Sequence, residues 1–248
     1  MSKINFSQKY FLSIAATDTT GEAGITKDCK IASSLGFKTL GVVTAITTQN
    51  EQGLHNIYPI SDIILQEQLK ICSEYPVKCI KIGALGSQEN GLLIASLLVL
   101  FQDAFIVWDP VFAPSKGRPF IEKEERKTII DALLPRVDIA TPNYLESLVF
   151  TAQKKSDRLK ILQQIAIKNK CSFYITGGHD QKKGRYLNEY YIDWERIISL
   201  KKEKKVYKYQ HGTGCTFSTA LACYMGNNNE IIEASKLSNK VVDTLYGE

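Results

Sequence analysis

The sequence predicts an α/β fold in which a doubly wound, mostly parallel sheet is flanked by helices. Short apolar runs of the kind that strands covered on both faces require recur at residues 11–16, 39–45, 78–82, 105–108, 137–140 and 173–176. Segments with helical patterns separate them, at residues 26–35, 62–72, 89–101, 122–134 and 157–169. Strands that alternate with helices imply right-handed crossovers and a parallel sheet.

The pattern changes after residue 176. The segments GRYLNEYYID and VYKYQ predict a short antiparallel addition, and helices from Thr213 and from Glu230 are expected to complete the chain. With 248 residues, of which 44% are hydrophobic, the chain can build one sizeable core, and we expect a single domain over residues 1–248. Ligands in such sheets bind beyond the carboxyl ends of the strands.

Charge and cysteine usage limit the classes of partner. Much of the net charge of +5 lies in a lysine-rich run at residues 201–208, which we interpret as a solvated surface. The six cysteines form no C-x-x-C pair, which is typical of free thiols in a reducing compartment. No apolar stretch approaches the roughly 20 residues of a membrane span. We expect a cytoplasmic protein that binds neither nucleic acid nor membrane, and a homodimer is one alternative for its assembly.

The loop after the first predicted strand, TDTTGEAG at residues 17–24, combines an acidic residue with two glycines. Glycine lets the backbone approach a ligand, and Asp18 can accept a hydrogen bond from the polar edge of that ligand. A strand-to-helix turn that needs glycine for its dihedral angles explains the loop equally well. Gln49 and Asn50 are also expected to follow a strand. A carboxamide can pair with donor and acceptor groups of a heterocycle, although Gln49 alone is more typical of an ordinary surface position.

Three oxygen-bearing side chains follow later strands. Asp109 ends one strand, and Asn143 and Glu146 lie three residues apart on the first turn of a helix. Residues three apart share a helix face, so this pair could jointly hold water ligands of a hydrated magnesium ion. The alternative is that Asn143 caps the helix and Glu146 is simply favourable in the first turn. The combination with Asp109 favours a site for metal and phosphate.

The segment HGTGCT at residues 211–216 is the most informative one. Gly212 and Gly214 precede an apolar, alanine-rich helix, so the amides around Thr213 are expected to face an anion at the positive end of that helix. Such a hole suits a transferring phosphoryl group. A thiol at a helix start is expected to have a lowered pKa, which would make Cys215 a base or a hydrogen-bonding partner for a substrate hydroxyl. The alternative for Cys215 is a small buried hydrophobic residue.

Six segments together carry a family resemblance: SIAATDTTGEAGITKD, VVTAITTQN, KIGALGS, ATPN with Glu146, TGGH and HGTGCT. In this order and spacing they resemble the hydroxymethylpyrimidine/phosphomethylpyrimidine kinases of thiamin biosynthesis, members of the ribokinase-like superfamily, over nearly the whole chain. The resemblance implies a ribokinase-like fold and a kinase that depends on ATP and Mg²⁺. Its substrate would be the hydroxymethyl group of 4-amino-5-hydroxymethyl-2-methylpyrimidine and, in bifunctional members, the monophosphate of that alcohol.

The resemblance also implies roles for individual residues. The pyrimidine pocket corresponds to Asp18, Gln49, Gly83 and Val111. The group that binds ATP corresponds to Asp109, Asn143, Glu146 and Thr176, of which the first three would hold the magnesium. The catalytic anion hole corresponds to Gly212, Thr213, Gly214 and Cys215, with Cys215 where many ribokinase-like enzymes place an aspartate.

Several positions depart from the family pattern. In the block at residues 16–24, Ala16 and Glu22 stand where the family has glycines. Thr176 stands where the family has a phosphate-facing lysine before G-G-H, and Ala84 stands where it has a pocket methionine. Three alternatives remain beside the pyrimidine kinase: a pyridoxal or pyridoxine kinase of the same fold, a ligand-binding homologue without turnover, and a thiol hydrolase built on Cys215 and His211. The hydrolase is the weakest of these, because we expect nothing nearby to orient His211.

Overall fold

The computed structural model describes residues 8–50, 52–114, 116–152, 154, 156–177, 185–207, 209 and 211–247. The strands in these residues are β1 Tyr10–Ala15, β2 Lys38–Val43, β3 Ala45–Asn50, β4 Gly53–Pro59, β5 Val77–Ile82, β6 Phe105–Trp108, β7 Ile139–Ala140, β8 Ser172–Ile175, β9 Tyr186–Ile192 and β10 Ile197–Glu203. The helices are α1 Gly24–Ser34, α2 Asp62–Ser73, α3 Gln88–Leu97, α4 Arg126–Leu133, α5 Tyr144–Phe150, α6 Arg158–Asn169, α7 Thr213–Gly226 and α8 Ile231–Tyr246.

In the described part of the chain the main sheet has eight strands, in the order β10-β9-β8-β7-β6-β5-β1-β2. The six strands from β2 to β8 in this order pair in parallel, and β9 and β10 extend the sheet antiparallel. The chain runs from β1 outward to β2 and later returns to the other side of β1 with β5. The direction of winding therefore reverses between β1 and β5, and ligands bind at the carboxyl ends of the strands at such a point.

Both faces of the sheet are buried, which confirms the predicted doubly wound architecture. Successive side chains of a strand point to opposite faces, and the core divides in the same way. Leu12 and Ile80 belong to the cluster on one face, whereas Phe11, Cys79 and Val107 belong to the cluster under α7 and α8. Polar residues at the strand ends on this second face therefore lie toward α1 and α7.

A two-stranded sheet formed by β3 and β4 stands apart from the main sheet. The expectation that Gln49 and Asn50 follow a strand is wrong, because both lie inside β3. Tertiary contacts hold this hairpin against the loop after β1: the Thr47 hydroxyl donates to the carbonyl of Thr17 at 2.7 Å, and the Thr17 hydroxyl accepts from the amide of Thr47 at 3.0 Å. The hairpin thereby brings Gln49 toward the end of β1.

The antiparallel addition is only partly as predicted. The GRYLNEYYID segment contains β9, but its partner is β10 and not VYKYQ, which is a correction to the sequence interpretation. In β10 half-buried Ile198, Leu200 and Lys202 alternate with exposed residues, which is the period-2 pattern of an edge strand. The run of lysines conceals this pattern in the sequence. Tyr207 makes one isolated bridge, with Gly247, and Lys208 lies outside the described residues.

Candidate active site

A cavity of about 530 Å³ opens at the carboxyl edge of the sheet, where the winding direction reverses. Its walls come from the loops after β1, β6, β7 and β8, from the β3–β4 hairpin and from the N-terminus of α7. The predicted site residues that line it are Asp18, Gln49, Asp109, Val111, Asn143, Glu146, Thr176, Gly212, Thr213, Gly214 and Cys215. The fold therefore assembles in one place side chains that are far apart in sequence.

Gly83 is the exception among the predicted site residues, because the cavity is lined by its neighbours Lys81 and Ala84 instead. A Cβ atom at position 83 would lie 2.8 Å from Nζ of Lys81 and 3.3 Å from the methyl group of Ala15. This corrects the assignment of Gly83 to the wall of the pocket. Glycine at this position leaves room for the Lys81 side chain.

The N-terminus of α7 has the geometry of an anion site. Gly212 is the N-cap residue with φ 81°, a left-handed conformation that glycine adopts without strain. A Cβ atom there would collide with the carbonyl oxygen of Glu22, so the close approach of the two loops also requires glycine. The N-cap residue, Gly212, has no side chain with which to cap the helix, and the first residues of α7 line the cavity, so the positive end of the helix lies at the cavity.

Cys215 lies half-buried in the first turn of α7. Burial raises the pKa of its thiol to about 12: the charge of Lys81 and the backbone N–H of Gly24 act in the opposite direction, and the nearby carboxylates of Asp109 and Asp28 add to the rise. The expectation of a lowered pKa is therefore wrong. The N-terminus of α7 favours a thiolate at Cys215. Asp109 and Asp28, which come from other elements, disfavour a third negative charge beside them.

Asp109 and Glu146 place two carboxyl groups close together in the cavity. Burial raises the pKa of Asp109, which accepts a hydrogen bond from Ser218 Oγ at 3.0 Å. Burial and the charge of Asp109 raise the pKa of Glu146 to about 8. Like charges that a protein holds together in a partly dry site are the usual setting of a bound cation.

Asn143 and Glu146 also form a capping box at the start of α5. The Glu146 amide donates to Asn143 Oδ1 at 3.0 Å, and the Asn143 amide donates to Glu146 Oε2 at 2.8 Å. The capping alternative weighed from the sequence is thus present in the structure. No cluster of three or more His, Cys, Asp or Glu residues suited to a metal occurs in the described ranges.

Thr176 follows β8 at the carboxyl edge of the sheet, as predicted. It forms a parallel bridge with Asn143, and its amide donates to the carbonyl of Pro142 at 3.1 Å. Its side chain therefore stands beside the Asn143 and Glu146 pair on the wall of the cavity. The residues Gly178 and His179 of the TGGH segment lie outside the described residues.

The Asp18 carboxylate joins the loop after β1 to the segment that precedes α7. Its Oδ1 accepts from the amide and hydroxyl of Thr20 at 2.8 and 2.7 Å, and its Oδ2 lies 2.9 Å from Nε2 of His211. Burial opposes ionisation, but these hydrogen bonds outweigh it and lower the pKa of Asp18 to about 2. The expectation that nothing orients His211 is therefore wrong, because Asp18 does so.

Sequence reasoning missed a buried polar cluster beside this site. Lys81, on β5, is fully buried and forms an ion pair with Asp28 of α1. The hydroxyls of Ser13 and Thr219 donate to the same carboxylate at 2.7 and 3.0 Å. One signal was available: a lysine in the largely apolar run VKCIKI has to find a buried partner.

Comparisons with known proteins agree with this architecture. A family model described as phosphomethylpyrimidine kinase matches residues 18–246. The hydroxymethylpyrimidine/phosphomethylpyrimidine kinase of Aquifex aeolicus is 31% identical over 235 residues, which cover 93% of this chain and 91% of the relative. The crystal structure of phosphomethylpyrimidine kinase from Clostridium difficile has a TM-score of 0.82 and 27% identity, and the match covers 96% of this chain and 99% of that one.

A second group of similar structures consists of pyridoxal kinases. The Bacillus subtilis pyridoxal kinase, solved as an ADP complex, has a TM-score of 0.82 and 25% identity, and the match covers 94% of this chain and 90% of that one. The ribokinase-like sheet and its kinase relatives define a phosphotransferase. The chain belongs to the phosphomethylpyrimidine kinase family, since the family model spans most of it. The resemblance found from the sequence motifs is thereby confirmed.

No helix in the described residues has the length and apolar character needed to cross a membrane. The cytoplasmic location, the absence of a nucleic-acid partner and the homodimer stay predictions.

Proposed function

We propose that this protein transfers the γ-phosphoryl group of ATP to the hydroxymethyl group of 4-amino-5-hydroxymethyl-2-methylpyrimidine in thiamin biosynthesis, with the monophosphate of that alcohol as a second substrate. One observation carries the proposal. The N-terminus of α7, which begins at the N-cap residue Gly212, and the carboxyl pair of Asp109 and Glu146 line the same cavity, to which Asp18 and Gln49 contribute hydrogen-bonding groups. The cavity thus combines a phosphate site with groups suited to a polar heterocycle.

The proposed roles divide the cavity into two regions. Asp18 and Gln49 would recognise the donor and acceptor groups of the pyrimidine, with Val111 against its ring. The anion hole of Gly212, Thr213, Gly214 and Cys215 would stabilise the negative charge that develops on the transferred phosphoryl group.

Magnesium fits the residues at the sheet edge. The charge of the buried Asp109 carboxyl group helps to raise the pKa of the neighbouring Glu146, and oxygen donors of this kind are the ligands that Mg²⁺ prefers. Asp109, Asn143 and Glu146 would hold the ion, partly through water. When bound, it would supply positive charge next to the nucleotide phosphates. The chain's own contribution is to hold these oxygens at one edge of the sheet.

A pyridoxal kinase is the second candidate, because the Bacillus subtilis pyridoxal kinase matches the fold with the same TM-score of 0.82 as the phosphomethylpyrimidine kinase. The substrates share a hydroxymethyl group on a nitrogen heterocycle, and the polar residues Asp18 and Gln49 suit either ring. The relatives with the higher sequence identity are pyrimidine kinases. This difference in sequence identity favours the pyrimidine alcohol over pyridoxal as the substrate.

The deciding experiment measures ADP release by the purified protein with ATP and Mg²⁺, using the pyrimidine alcohol, its monophosphate and pyridoxal side by side. We expect the highest kcat/KM with the pyrimidine alcohol. A higher value with pyridoxal would replace the proposed substrate by the second candidate. Absence of turnover with all three, in protein that still binds nucleotide, would point to the ligand-binding homologue.

Thr176 should limit the chemistry, and replacement by lysine should improve it. A lysine at this position would extend an ammonium group from the end of β8 toward the proposed triphosphate site, where electrostatic stabilisation is usually the largest catalytic contribution. We expect Thr176→Lys to raise kcat/KM for ATP by about tenfold, and by more with the doubly charged monophosphate. Thr176→Met is the matched control, because it adds length without charge. Steady-state kinetics on the three proteins test this.

The competing source of positive charge is the lysine-rich run. Lys202 lines the cavity, but its ammonium donates to Asn239 at 2.7 Å and lies 3.5 Å from Asp243. Lys205 is paired with the same Asp243 at 3.0 Å. We therefore expect Lys205→Ala to leave kcat/KM close to the wild-type value. A large loss in Lys205→Ala, together with no gain in Thr176→Lys, would assign the phosphate-facing charge to this run.

A further inference from the structure

A buried ammonium group lies beside the first turn of α7. Lys81 occupies the same face of the sheet as Cys79, two residues earlier in β5, and this face packs against α1 and α7. Its Nζ atom lies 3.1 and 3.0 Å from the two oxygens of Asp28 and 3.9 Å from Oδ2 of Asp109. One lysine thus connects a carboxylate in the core with a carboxylate in the cavity.

Asp28 is already fully engaged. Both of its oxygens contact the ammonium, and each also accepts from one hydroxyl, Ser13 at Oδ2 and Thr219 at Oδ1. Burying a charged pair costs more free energy than the pair returns unless the geometry is good and additional hydrogen bonds are present. Here both conditions are met. The positive charge therefore has a fixed position.

Lys81 is also the cation best placed to act on Asp109. Within the described part of the cavity wall, the basic lysine and arginine side chains are Lys81, Arg126 and Lys202. The Arg126 guanidinium donates to the carbonyl of Ile121, and Lys202 is engaged with Asn239 and Asp243. Lys81 is the one that forms an ion pair with Asp109.

We propose that Lys81 is a positioning residue for phosphoryl transfer: its buried ammonium fixes the Asp109 carboxylate and offsets part of its charge beside the anion-binding end of α7. This inference rests on the proposed function. Asp109 and Glu146 would otherwise oppose the approach of an anionic nucleotide, and the neutral Thr176 supplies no compensation from β8. Lys81 and Ser218 contact the same oxygen of Asp109, Oδ2, so loss of the ammonium removes one of the restraints on that carboxylate.

Lys81→Met tests the proposal, with Lys127→Met as the matched control. Lys127 is also paired with an aspartate, Asp131, but it is exposed and outside the cavity. Groups that orient a ligand of a metal site typically change affinity or activity by about 10- to 100-fold when they are replaced. We expect Lys81→Met to weaken Mg–ADP binding, measured by isothermal titration, by about this factor. Kcat should also fall, the KM of the alcohol should change little, and Lys127→Met should behave as wild type.

The double variant Lys81→Met/Asp28→Asn separates positioning from simple charge balance in the core. It removes the buried pair together, and asparagine can still accept from Ser13 or Thr219. If Lys81 acts on Asp109, the double variant regains melting temperature but keeps the binding defect. If the double variant instead binds Mg–ADP with wild-type affinity, Lys81 serves only to neutralise Asp28, and the proposal is overturned. Failure of both variants to fold would also overturn it, since the ammonium would then serve the fold itself.

The binding measurement needs no turnover and no choice of alcohol. A wild-type protein that binds Mg–ADP but phosphorylates none of the three alcohols would refute the proposed function alone. The effect of Lys81→Met on Mg–ADP affinity would still decide the role of Lys81.

Discussion

Replacement of Cys215 by alanine should lower kcat by about a hundredfold or more, the usual contribution of a group that handles a proton in the transition state. The pKa of the Cys215 thiol is raised to about 12, so the thiol is protonated at neutral pH. It hydrogen-bonds to Asp109, a contact that favours the ionised form of that carboxyl group. A protonated thiol in this position can accept a hydrogen bond from the attacking hydroxyl while it donates its own proton to Asp109.

The variants Cys215→Ser and Cys29→Ala make the measurement specific. Serine retains a donor and an acceptor of similar size, so Cys215→Ser should keep more activity than Cys215→Ala. Cys29 is half-buried on α1, and its thiol also has a raised pKa through burial, but it does not line the cavity; its replacement should leave kcat unchanged. The melting temperature should change little in all three. If Cys215→Ala has the kcat of the wild type, Cys215 has no catalytic role and is only a small hydrophobic side chain.

The sequence predicted the parallel strands β1, β6, β7 and β8 well because they are buried on both faces. Each one is an almost unbroken apolar run, and the loops that follow are marked by glycine or by a single polar residue. The start of α7 was predictable for the same local reason: Gly212 needs its left-handed conformation, and the helix that it opens is apolar. Such features depend on neighbours in the chain.

The features that sequence reasoning missed depend on partners far along the chain. Lys81 and Asp28 are 53 residues apart, and no spacing rule joins a lysine in a strand to an aspartate in an earlier helix. The pKa of Cys215 was mispredicted in the same way, because the helix start is a local effect whereas Asp109 arrives from another strand. The β3–β4 hairpin escaped notice because its sequence is polar and its contacts with Thr17 are tertiary.

Glu146→Gln should raise the magnesium requirement and reduce kcat, with an apparent magnesium affinity lower by about 10- to 100-fold. The substitution separates the two roles of this side chain. A glutamine at the third helical position can accept the same hydrogen bond from the Asn143 amide, so the capping box at α5 is retained. Only the charge is lost. The effect on magnesium therefore cannot be attributed to an unravelled helix start.

The pH dependence supplies a second, independent signature of the same site. Burial and Asp109 raise the pKa of Glu146 from its ordinary value of 4.5 to about 8, so below about pH 8 a proton competes with the cation for this carboxyl group. The apparent magnesium affinity of the wild type should rise with pH and level off above about 8, and this rise should be smaller in Glu146→Gln. A raised carboxyl pKa also means that stability falls as pH increases through the same window, because the folded state binds the extra proton.

Glu125→Gln is the matched control for this experiment. Glu125 also accepts a hydrogen bond from a backbone amide at a helix start, that of Glu122 at 3.0 Å, but it lies outside the cavity. Magnesium titrations of activity at pH 6.5, 7.5 and 8.5 on wild type and both variants give the comparison. If the titration of Glu146→Gln matches that of Glu125→Gln at every pH, Asn143 and Glu146 serve only to cap α5. A rightward shift confined to Glu146→Gln, greatest at the highest pH, would assign the carboxylate to the cation, because only a deprotonated group can bind it.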